Sequence, residues 1–246
     1  MLISLLAASP AAAQSIRHEA AGRGRKGCVV AAPHGGYDLH TEQIAPKLAE
    51  ALGWGLVIAE GYRSKAEQRW FDVNRPTQRV WTRGELAKGE ETLEGHQVFT
   101  KYREALFAAG RASPLELLVE IHGHARKERI GGKRVVVQVI ELAHRGVPRE
   151  ALRALAARYQ TLVAELPAEQ RIPLAIEELD SSYVYRGREL EFHYRASGAK
   201  SKGALAPRVS KRALHFELPP RARSKANRAA YAELLAELLA PLVEGE

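Results

Sequence analysis

The sequence has only one cysteine, Cys28, among 246 residues. A single thiol cannot form an intrachain disulfide and cannot by itself build a thiolate metal cage, so a disulfide-stabilised scaffold is excluded. The chain also lacks an apolar run long enough for a membrane-spanning helix. Hydrophobic residues make up 46% of the chain and charged residues 27%, which is ordinary for a globular protein and excludes overall disorder. The sequence predicts a soluble globular domain.

The chain carries a formal net charge of +8, but no dense run of basic residues produces it. A positive balance attracts nucleic acid, acidic lipid surfaces or acidic substrates. Here the lysines and arginines are spread along the chain, a pattern typical of a solvated surface. We therefore do not expect nucleic acid as the partner, whereas a small acidic substrate fits the charge.

The N-terminal segment resembles an export signal that lacks a positively charged start. Apolar residues open it, and the small residues Ala11–Ala13 precede Gln14, as in a cleavage site. We expect an export signal over residues 1–14, a single domain over 15–246, and a periplasmic or secreted location. If residues 1–14 are not a signal, they form a frayed extension of a cytoplasmic protein.

Apolar runs alternate with helical spacings along most of the chain, which predicts an α/β fold. The predicted strands cover residues 28–32, 55–59, 115–122, 135–140, 172–176 and 213–218. The predicted helices cover residues 42–52, 92–109, 148–166 and 227–243. Gly131-Gly132 predicts a hairpin turn, and Arg195–Arg208 predicts one long loop. We infer a single three-layer α/β/α domain around a mixed, mainly parallel sheet.

Two clusters of potential metal ligands follow predicted strands. His34 comes directly after the first strand, and two glycines allow a turn that brings Asp38 back towards its imidazole. Alternation along the third strand places Glu120 and His122 on one face. Two histidines and an aspartate with an open fourth position are typical of a catalytic zinc site, in which Glu120 could orient a ligand histidine.

Two further clusters have residue types suited to substrate binding and proton transfer. The Arg75 guanidinium, with the neighbouring Asn74 amide, suits a substrate carboxylate because parallel N–H donors match its two oxygens. Glu217 lies among apolar residues late in a strand, where it could act as the general base for a metal-activated water. Each residue also has a purely structural alternative: a turn histidine, a surface ion pair or an edge-strand carboxylate. For Tyr183, Tyr185 and Tyr194 an aromatic core is favoured, with the lining of a pocket as the alternative.

In this order, the four clusters resemble those of the N-formylglutamate amidohydrolases and the phage-type poly-γ-glutamate hydrolases. These are zinc hydrolases of the carboxypeptidase-like (phosphorylase/hydrolase-like) fold. The resemblance covers about Gly27–Pro220 and rests on Pro33–Gly36, Asp72–Pro76, Val119–Gly123 and Phe216–Leu218. It implies the same fold and a bound zinc ion.

Carried over by position, the resemblance implies zinc ligation by His34, His122 and Asp38. The sequence departs from the carboxypeptidase pattern at the acidic ligand. That pattern places a glutamate three residues after the first histidine, whereas Asp38 lies four residues after His34. Glu42 therefore remains an alternative to Asp38.

The resemblance also implies the remaining roles. Arg75, helped by Asn74, would hold a substrate carboxylate, and Glu217 would activate the zinc water and then protonate the leaving amine. Separately from the resemblance, four arginines surround the Asn74-Arg75 element in the sequence, and any of them could supply a cation for the oxyanion: Arg63, Arg69, Arg79 or Arg83.

We therefore expect a zinc-dependent amidohydrolase that cleaves an amide bond beside a free carboxylate. Its substrate would be an N-acyl amino acid such as N-formylglutamate, or a γ-linked glutamyl chain. One alternative is a zinc peptidase or carboxypeptidase of the same fold that acts on peptides or cell-wall material. Another is a non-enzymatic basic protein that binds anionic polymers, for which a salt-dependent affinity and no stoichiometric metal are expected.

Overall fold

A computed structural model describes residues 13–22, 25–64, 69–82 and 85–243. Residues 1–12 of the expected export signal lie outside the described residues. In the described part of the chain, every helix is too short or too polar to cross a lipid bilayer.

Sixteen strands and five α-helices are assigned within these residues. The strands are β1 (Ser15–Glu19), β2 (Cys28–Gly35), β3 (Gly55–Glu60), β4 (Arg63–Ser64), β5 (Arg69–Asp72), β6 (Thr77–Thr82), β7 (Glu85–Leu86), β8 (Glu90–Glu91), β9 (Leu115–Gly123), β10 (Lys127–Ile130), β11 (Lys133–Val136), β12 (Ile140–Arg145), β13 (Leu174–Ile176), β14 (Ser182–Tyr185), β15 (Arg188–Glu191) and β16 (Ser210–Leu218). The helices are α1 (Thr41–Leu52), α2 (Leu93–Gly110), α3 (Arg149–Glu165), α4 (Ser197–Lys202) and α5 (Arg228–Leu239).

Seven strands form the central sheet in the order β1-β3-β2-β9-β16-β12-β13. The pairs β1–β3 and β12–β16 are antiparallel, and the other four neighbouring pairs are parallel. Side chains of β2 alternate between the two faces, so Val30 packs in one core with Ile44 of α1, and Val29 packs in the other with Leu106 of α2. Helices α3 and α5 cover the same face as α1. The predicted three-layer α/β/α fold with a mixed, mainly parallel sheet is confirmed.

The predicted strand over residues 135–140 is wrong, although the predicted hairpin turn at Gly131-Gly132 joins β10 to β11. The apolar run is interrupted because β11 ends at Val136 and β12 begins at Ile140. Val137 and Val139 between them are buried in a separate small core beneath the β14–β15 hairpin. Their hydrophobicity therefore reflects burial against that hairpin and not a continuing strand.

Two other regions differ from the sequence prediction. The segment predicted as one loop over Arg195–Arg208 contains the short helix α4. Strands β4–β8 form a small antiparallel sheet that apolar patterning does not show. The turn between β5 and β6 carries Asn74 and Arg75, so this small sheet places both residues beside the central sheet.

Candidate active site

The candidate site lies at the carboxyl ends of three neighbouring parallel strands, β2, β9 and β16. His34 is at the end of β2, and β9 brings Glu120 and His122 beside it. On β16, Glu217 is paired in register with His122, and His215 is paired with Glu120. Because parallel strands end at the same sheet edge, residues distant in sequence converge here.

The structure brings His34, Asp38 and His122 together in a buried cluster. Asp38 Oδ2 lies 3.2 Å from Nδ1 of His34 and 3.3 Å from Nδ1 of His122. The two Nδ1 atoms are 3.0 Å apart. Ligand atoms at about 2.05 Å from a tetrahedral zinc ion are separated by about 3.3 Å, so these three atoms have nearly the spacing of one face of such a tetrahedron. The donor set fits zinc.

A tight turn after β2 positions Asp38. The backbone N–H groups of Tyr37 and Asp38 both donate to the carbonyl oxygen of His34. Gly36 has a φ of 76°, in the left-handed region that favours glycine. Glu42, the alternative acidic ligand, lies in the first turn of α1 and accepts a hydrogen bond from the Gly36 N–H. The turn therefore directs Asp38 towards the histidines.

Charges at this cluster favour one shared proton in the metal-free protein. Burial and the Arg63 guanidinium lower the pKa of His34 to about 4. Burial lowers the pKa of His122, but hydrogen bonds to Asp38 and Glu120 outweigh this and raise it to about 10. Burial raises the pKa of Asp38, yet hydrogen bonds from His122 and His34 hold it well below its ordinary value. Metal binding requires both facing nitrogens to be unprotonated, so a metal ion would replace this proton.

Glu120 organises the floor of the site and is completely buried. Its Oε2 accepts hydrogen bonds from Asn74 Nδ2 at 2.9 Å and lies 3.2 Å from His122 Nε2. Its Oε1 accepts from the Tyr102 hydroxyl at 3.0 Å. Because Glu120 engages Nε2 of His122, the Nδ1 atom of that ring faces the cluster. The bond to Glu120 uses one N–H of the Asn74 amide.

His215 is a site residue to which the sequence analysis gave no role. Its Nδ1 lies 3.4 Å from Glu120 Oε2, and its Nε2 lies 3.3 Å from Glu217 Oε1. With Glu120 and His122 it forms a second group of potential ligands. The sequence does contain a signal for it: His215 lies two residues before Glu217, and in a strand this spacing puts both side chains on one face.

Glu217 lines the cavity as an ionised carboxylate. Burial raises its pKa, but the hydrogen bond from His215 and the charge of His122 outweigh this and lower it. A general base must be unprotonated before it accepts a proton, so this charge state suits Glu217 to that role.

Asp72 holds Arg63 and Arg75, two of the arginines that line the cavity. Its Oδ1 accepts a hydrogen bond from Arg63 Nη2 at 2.6 Å, and its Oδ2 accepts from Arg75 Nη2 at 2.9 Å. Arg63 also lies 3.8 Å from Asp38 Oδ1, through its Nη1. Arg75 has about a third of its side chain exposed and keeps further N–H donors towards the cavity.

Of the two candidate arginines whose side chains the structure describes, Arg63 is better placed for the oxyanion than Arg79. Its guanidinium lines the cavity and lies beside a candidate ligand. Arg79 instead donates to the carbonyl oxygen of Ala87. The Arg69 side chain and the whole of Arg83 lie outside the described residues.

Replacing Asp72 with asparagine should make stability depend less on pH. Burial raises the pKa of Asp72, but Arg63 and Arg75 outweigh this and lower it to about 2. The ordinary pKa is near 3.9, so the stabilisation is complete above about pH 5 and is lost as the pH falls towards 2. We expect D72N to lower the free energy of unfolding by about 2 kcal/mol at pH 7, and by less at pH 3.

Urea unfolding of wild type and D72N at pH 7, 5 and 3 measures this difference. Glu50→Gln, an exposed change on α1, is the control and should alter stability little at any pH. A D72N deficit that stays constant from pH 7 to pH 3 would contradict the ion-pair explanation.

A cavity of about 600 Å³ surrounds these groups and includes every predicted site residue: His34, Asp38, Asn74, Arg75, His122 and Glu217. The loop before α4 forms its opposite wall. Glu141 anchors this loop, since its Oε2 accepts hydrogen bonds from the backbone N–H groups of His193 at 2.8 Å and Tyr194 at 2.7 Å. This anchoring places Tyr194 at the cavity, so the favoured core position is wrong for it and the alternative, the lining of a pocket, is confirmed.

Three solved structures illustrate the similarity of the fold. N-formylglutamate amidohydrolase from Ralstonia eutropha JMP134 has a TM-score of 0.53 and 14% identity, covering 93% of this chain and 97% of that one. The chain has the fold of this hydrolase. YNDL in an apo, zinc-free form has a TM-score of 0.51 and 12% identity, and the match covers 94% of this chain and 91% of that one. A bacteriophage poly-γ-glutamate hydrolase has a TM-score of 0.48 and 13% identity, covering 95% and 91%.

The resemblance expected from the sequence motifs is thus confirmed at the level of the fold. No protein-family profile and no curated protein sequence matches the chain.

Proposed function

We propose that this protein is a zinc-dependent amidohydrolase that cleaves an amide bond beside a free carboxylate. The observation that carries the proposal is the spacing of the His34, Asp38 and His122 ligand atoms, 3.0 to 3.3 Å, within a cavity that also holds a carboxylate base and an arginine. One fold neighbour is an N-formylglutamate amidohydrolase, and another is named in a zinc-free form, which supports this assignment.

His34, Asp38 and His122 would hold the metal. When bound, zinc would polarise a carbonyl group and lower the pKa of a water molecule towards neutrality. Glu217 accepts the proton of the attacking water and later delivers it to the amide nitrogen as the C–N bond breaks. One amide and one water thus give one carboxylic acid and one amine. Arg63 stabilises the negative charge that develops on the carbonyl oxygen.

Arg75 is assigned to the substrate carboxylate, with Asn74 beside it. The bond to Asp72 fixes the plane of the Arg75 guanidinium, and the remaining donors of the fork match a carboxylate. Asn74 is held against Glu120, so both substrate-binding groups are positioned before the substrate arrives. Preorganisation of this kind reduces the entropic cost of binding.

The test combines metal analysis with a substrate panel. Purified wild-type protein should contain about one zinc ion per chain and hydrolyse N-acyl glutamates or γ-glutamyl peptides. Amides of simple amines without a carboxylate should be poor substrates, because Arg75 would have no partner. Cleavage of peptides only, with N-acyl amino acids untouched, would favour the zinc peptidase alternative.

Absence of both zinc binding and hydrolysis after zinc is supplied would overturn the proposal. In that case, salt-dependent binding to an anionic polymer would be measured next. An affinity that falls as the salt concentration rises would then support the non-enzymatic binding function.

A further inference from the structure

A second cavity, of about 470 Å³, adjoins the active-site cavity on the far side of Asp38. The two cavities share Tyr37, Asp38 and Gly123–Ala125, whereas Arg75 and Asn74 line only the first. We call the second cavity the acyl recess. The residues that line it and not the first cavity are Leu39, His40, Pro220, Arg223 and Ser224. The candidate ligand Asp38 therefore lies between the arginine side and the acyl recess.

The recess offers mainly apolar surface to a ligand. Leu39 is 57% exposed and Tyr37 is 48% exposed, and these two large side chains flank Asp38 in the sequence. Exposed apolar residues that border a concave site are typical of ligand contact. Ala125 and Pro220 add further apolar groups to the wall.

The one arginine in the recess is already used by the fold. Arg223 donates from Nε to the Leu218 carbonyl oxygen at 3.0 Å and from Nη2 to the His124 carbonyl oxygen at 3.1 Å. Its Nη1 donates to the carbonyl oxygen of Leu39. The guanidinium thus joins the end of β16, the loop after β9 and the turn after β2, and it builds the recess wall. An anion is therefore a poorer match for this recess than an apolar group.

The order of groups along the two cavities orients a substrate. With its carboxylate on Arg75 and its scissile carbonyl at the His34–Asp38–His122 cluster, the amine portion of the substrate occupies the first cavity. The acyl portion then extends past Asp38 towards Leu39. A formyl group, with a single carbon, would leave the recess unfilled.

We propose that the acyl recess binds an apolar acyl group of several carbon atoms, so that the preferred substrates are amino acids acylated with such a group. This inference rests on the proposed amidohydrolase function and specifies its substrate class. The apolar group could belong to a fatty acyl chain or to an apolar residue of a peptide, and both present the same hydrocarbon to Leu39.

The test compares kcat/KM for N-formyl-, N-acetyl-, N-butyryl- and N-hexanoyl-glutamate, with N-acetyl-leucyl-glutamate as the peptide arm. Each buried methylene should raise kcat/KM about three- to fourfold, and N-hexanoyl-glutamate should exceed N-formylglutamate by at least about a hundredfold. A larger gain for the hexanoyl compound than for the leucyl compound would identify a fatty acyl chain, and the reverse would identify a peptide.

Leu39→Glu is the diagnostic variant. Its side chain is largely exposed, so the fold should tolerate the change, but a carboxylate in the recess should abolish most of the chain-length preference. Leu93→Glu is the matched control, because Leu93 is 73% exposed at the start of α2 and lines neither cavity. It should keep the wild-type preference.

Calorimetric binding of the same acyl-glutamates to the Glu217→Gln protein, with and without the additional Leu39→Glu change, gives a readout independent of turnover. An affinity that rises with acyl chain length would support binding of the acyl group in the recess, provided that Leu39→Glu removes this dependence on chain length. Equal kcat/KM and equal affinity for the formyl and hexanoyl compounds would contradict binding of the acyl group in the recess. The proposed amidohydrolase function would be unaffected. Failure to hydrolyse any compound would overturn the proposed function. The binding series would still show whether the recess binds the acyl group.

Discussion

Replacing Glu217 with glutamine should lower kcat by about a thousandfold while leaving zinc bound. Glutamine keeps the size of the side chain and can still meet His215, but its amide cannot accept the proton of the attacking water. Because Glu217 is not part of the proposed metal site of His34, Asp38 and His122, the metal content should not change. Steady-state kinetics and elemental analysis of the same preparation measure both quantities.

Glu233→Gln is the control for this substitution, since Glu233 is exposed on α5 and does not line the cavity. It should keep wild-type turnover. Turnover near wild type in the Glu217→Gln protein would remove Glu217 from the reaction. Loss of zinc together with turnover would instead make Glu217 part of the metal site.

Replacing His122 with alanine should abolish stoichiometric zinc binding and with it all measurable hydrolysis. The change removes one of the three proposed ligand atoms, which lie 3.0 to 3.3 Å from each other. It also leaves Asp38 and Glu120 without a shared partner in a buried site, so the apoprotein should lose stability. Elemental analysis and thermal unfolding with and without added zinc measure these effects.

A zinc-induced rise in Tm separates loss of the site from loss of the fold. Wild type should gain about 2.7 kcal/mol of stability at a zinc concentration of one hundred times Kd, and His122→Ala should gain none. His96→Ala, an exposed change on α2, should respond like wild type. A full zinc response in a folded His122→Ala protein would show that the metal binds elsewhere.

The same measurement decides the acidic ligand. Asp38→Asn should weaken zinc binding strongly, whereas Glu42→Gln should change it little, because the Glu42 carboxylate meets the Gly36 N–H. The opposite result would exchange the two roles.

Local sequence patterns were sufficient for most of the central fold. The run Cys28–Ala32 is apolar on both faces because β2 lies between two helical layers, and such a strand is recognisable without a structure. The spacing of Ile44 and Leu48 similarly indicates α1, since it places both on one helix face. The small sheet of β4–β8 gave no such signal, because its strands are short and several of their residues are polar.

The same limit applies to Val137 and Val139. An apolar run shows that side chains are buried, but not which core buries them. Here the β14–β15 hairpin, about 50 residues further along the chain, supplies the partner surface. Only long-range packing decides between a continuous strand and a break.

For the site, residue types and order were enough to propose His34, Asp38, His122, Asn74, Arg75 and Glu217, and the structure gathers all six around one cavity. The sequence could indicate their place because sites in open α/β sheets lie at the carboxyl ends of the strands, where His34, His122 and Glu217 occur. Their assignment as ligands, base and substrate anchor remains a prediction.

Only the tertiary structure determines which side chains each of these groups contacts. His215 enters the site only because β16 pairs in register with β9. Arg63 is preferred to Arg79 only because Asp72 and Asp38 lie beside it. The acyl recess exists because Arg223 joins three separate chain segments. Sequence patterns report what each residue can do and whether it is buried, whereas contacts between residues far apart in the chain depend on strand register and packing.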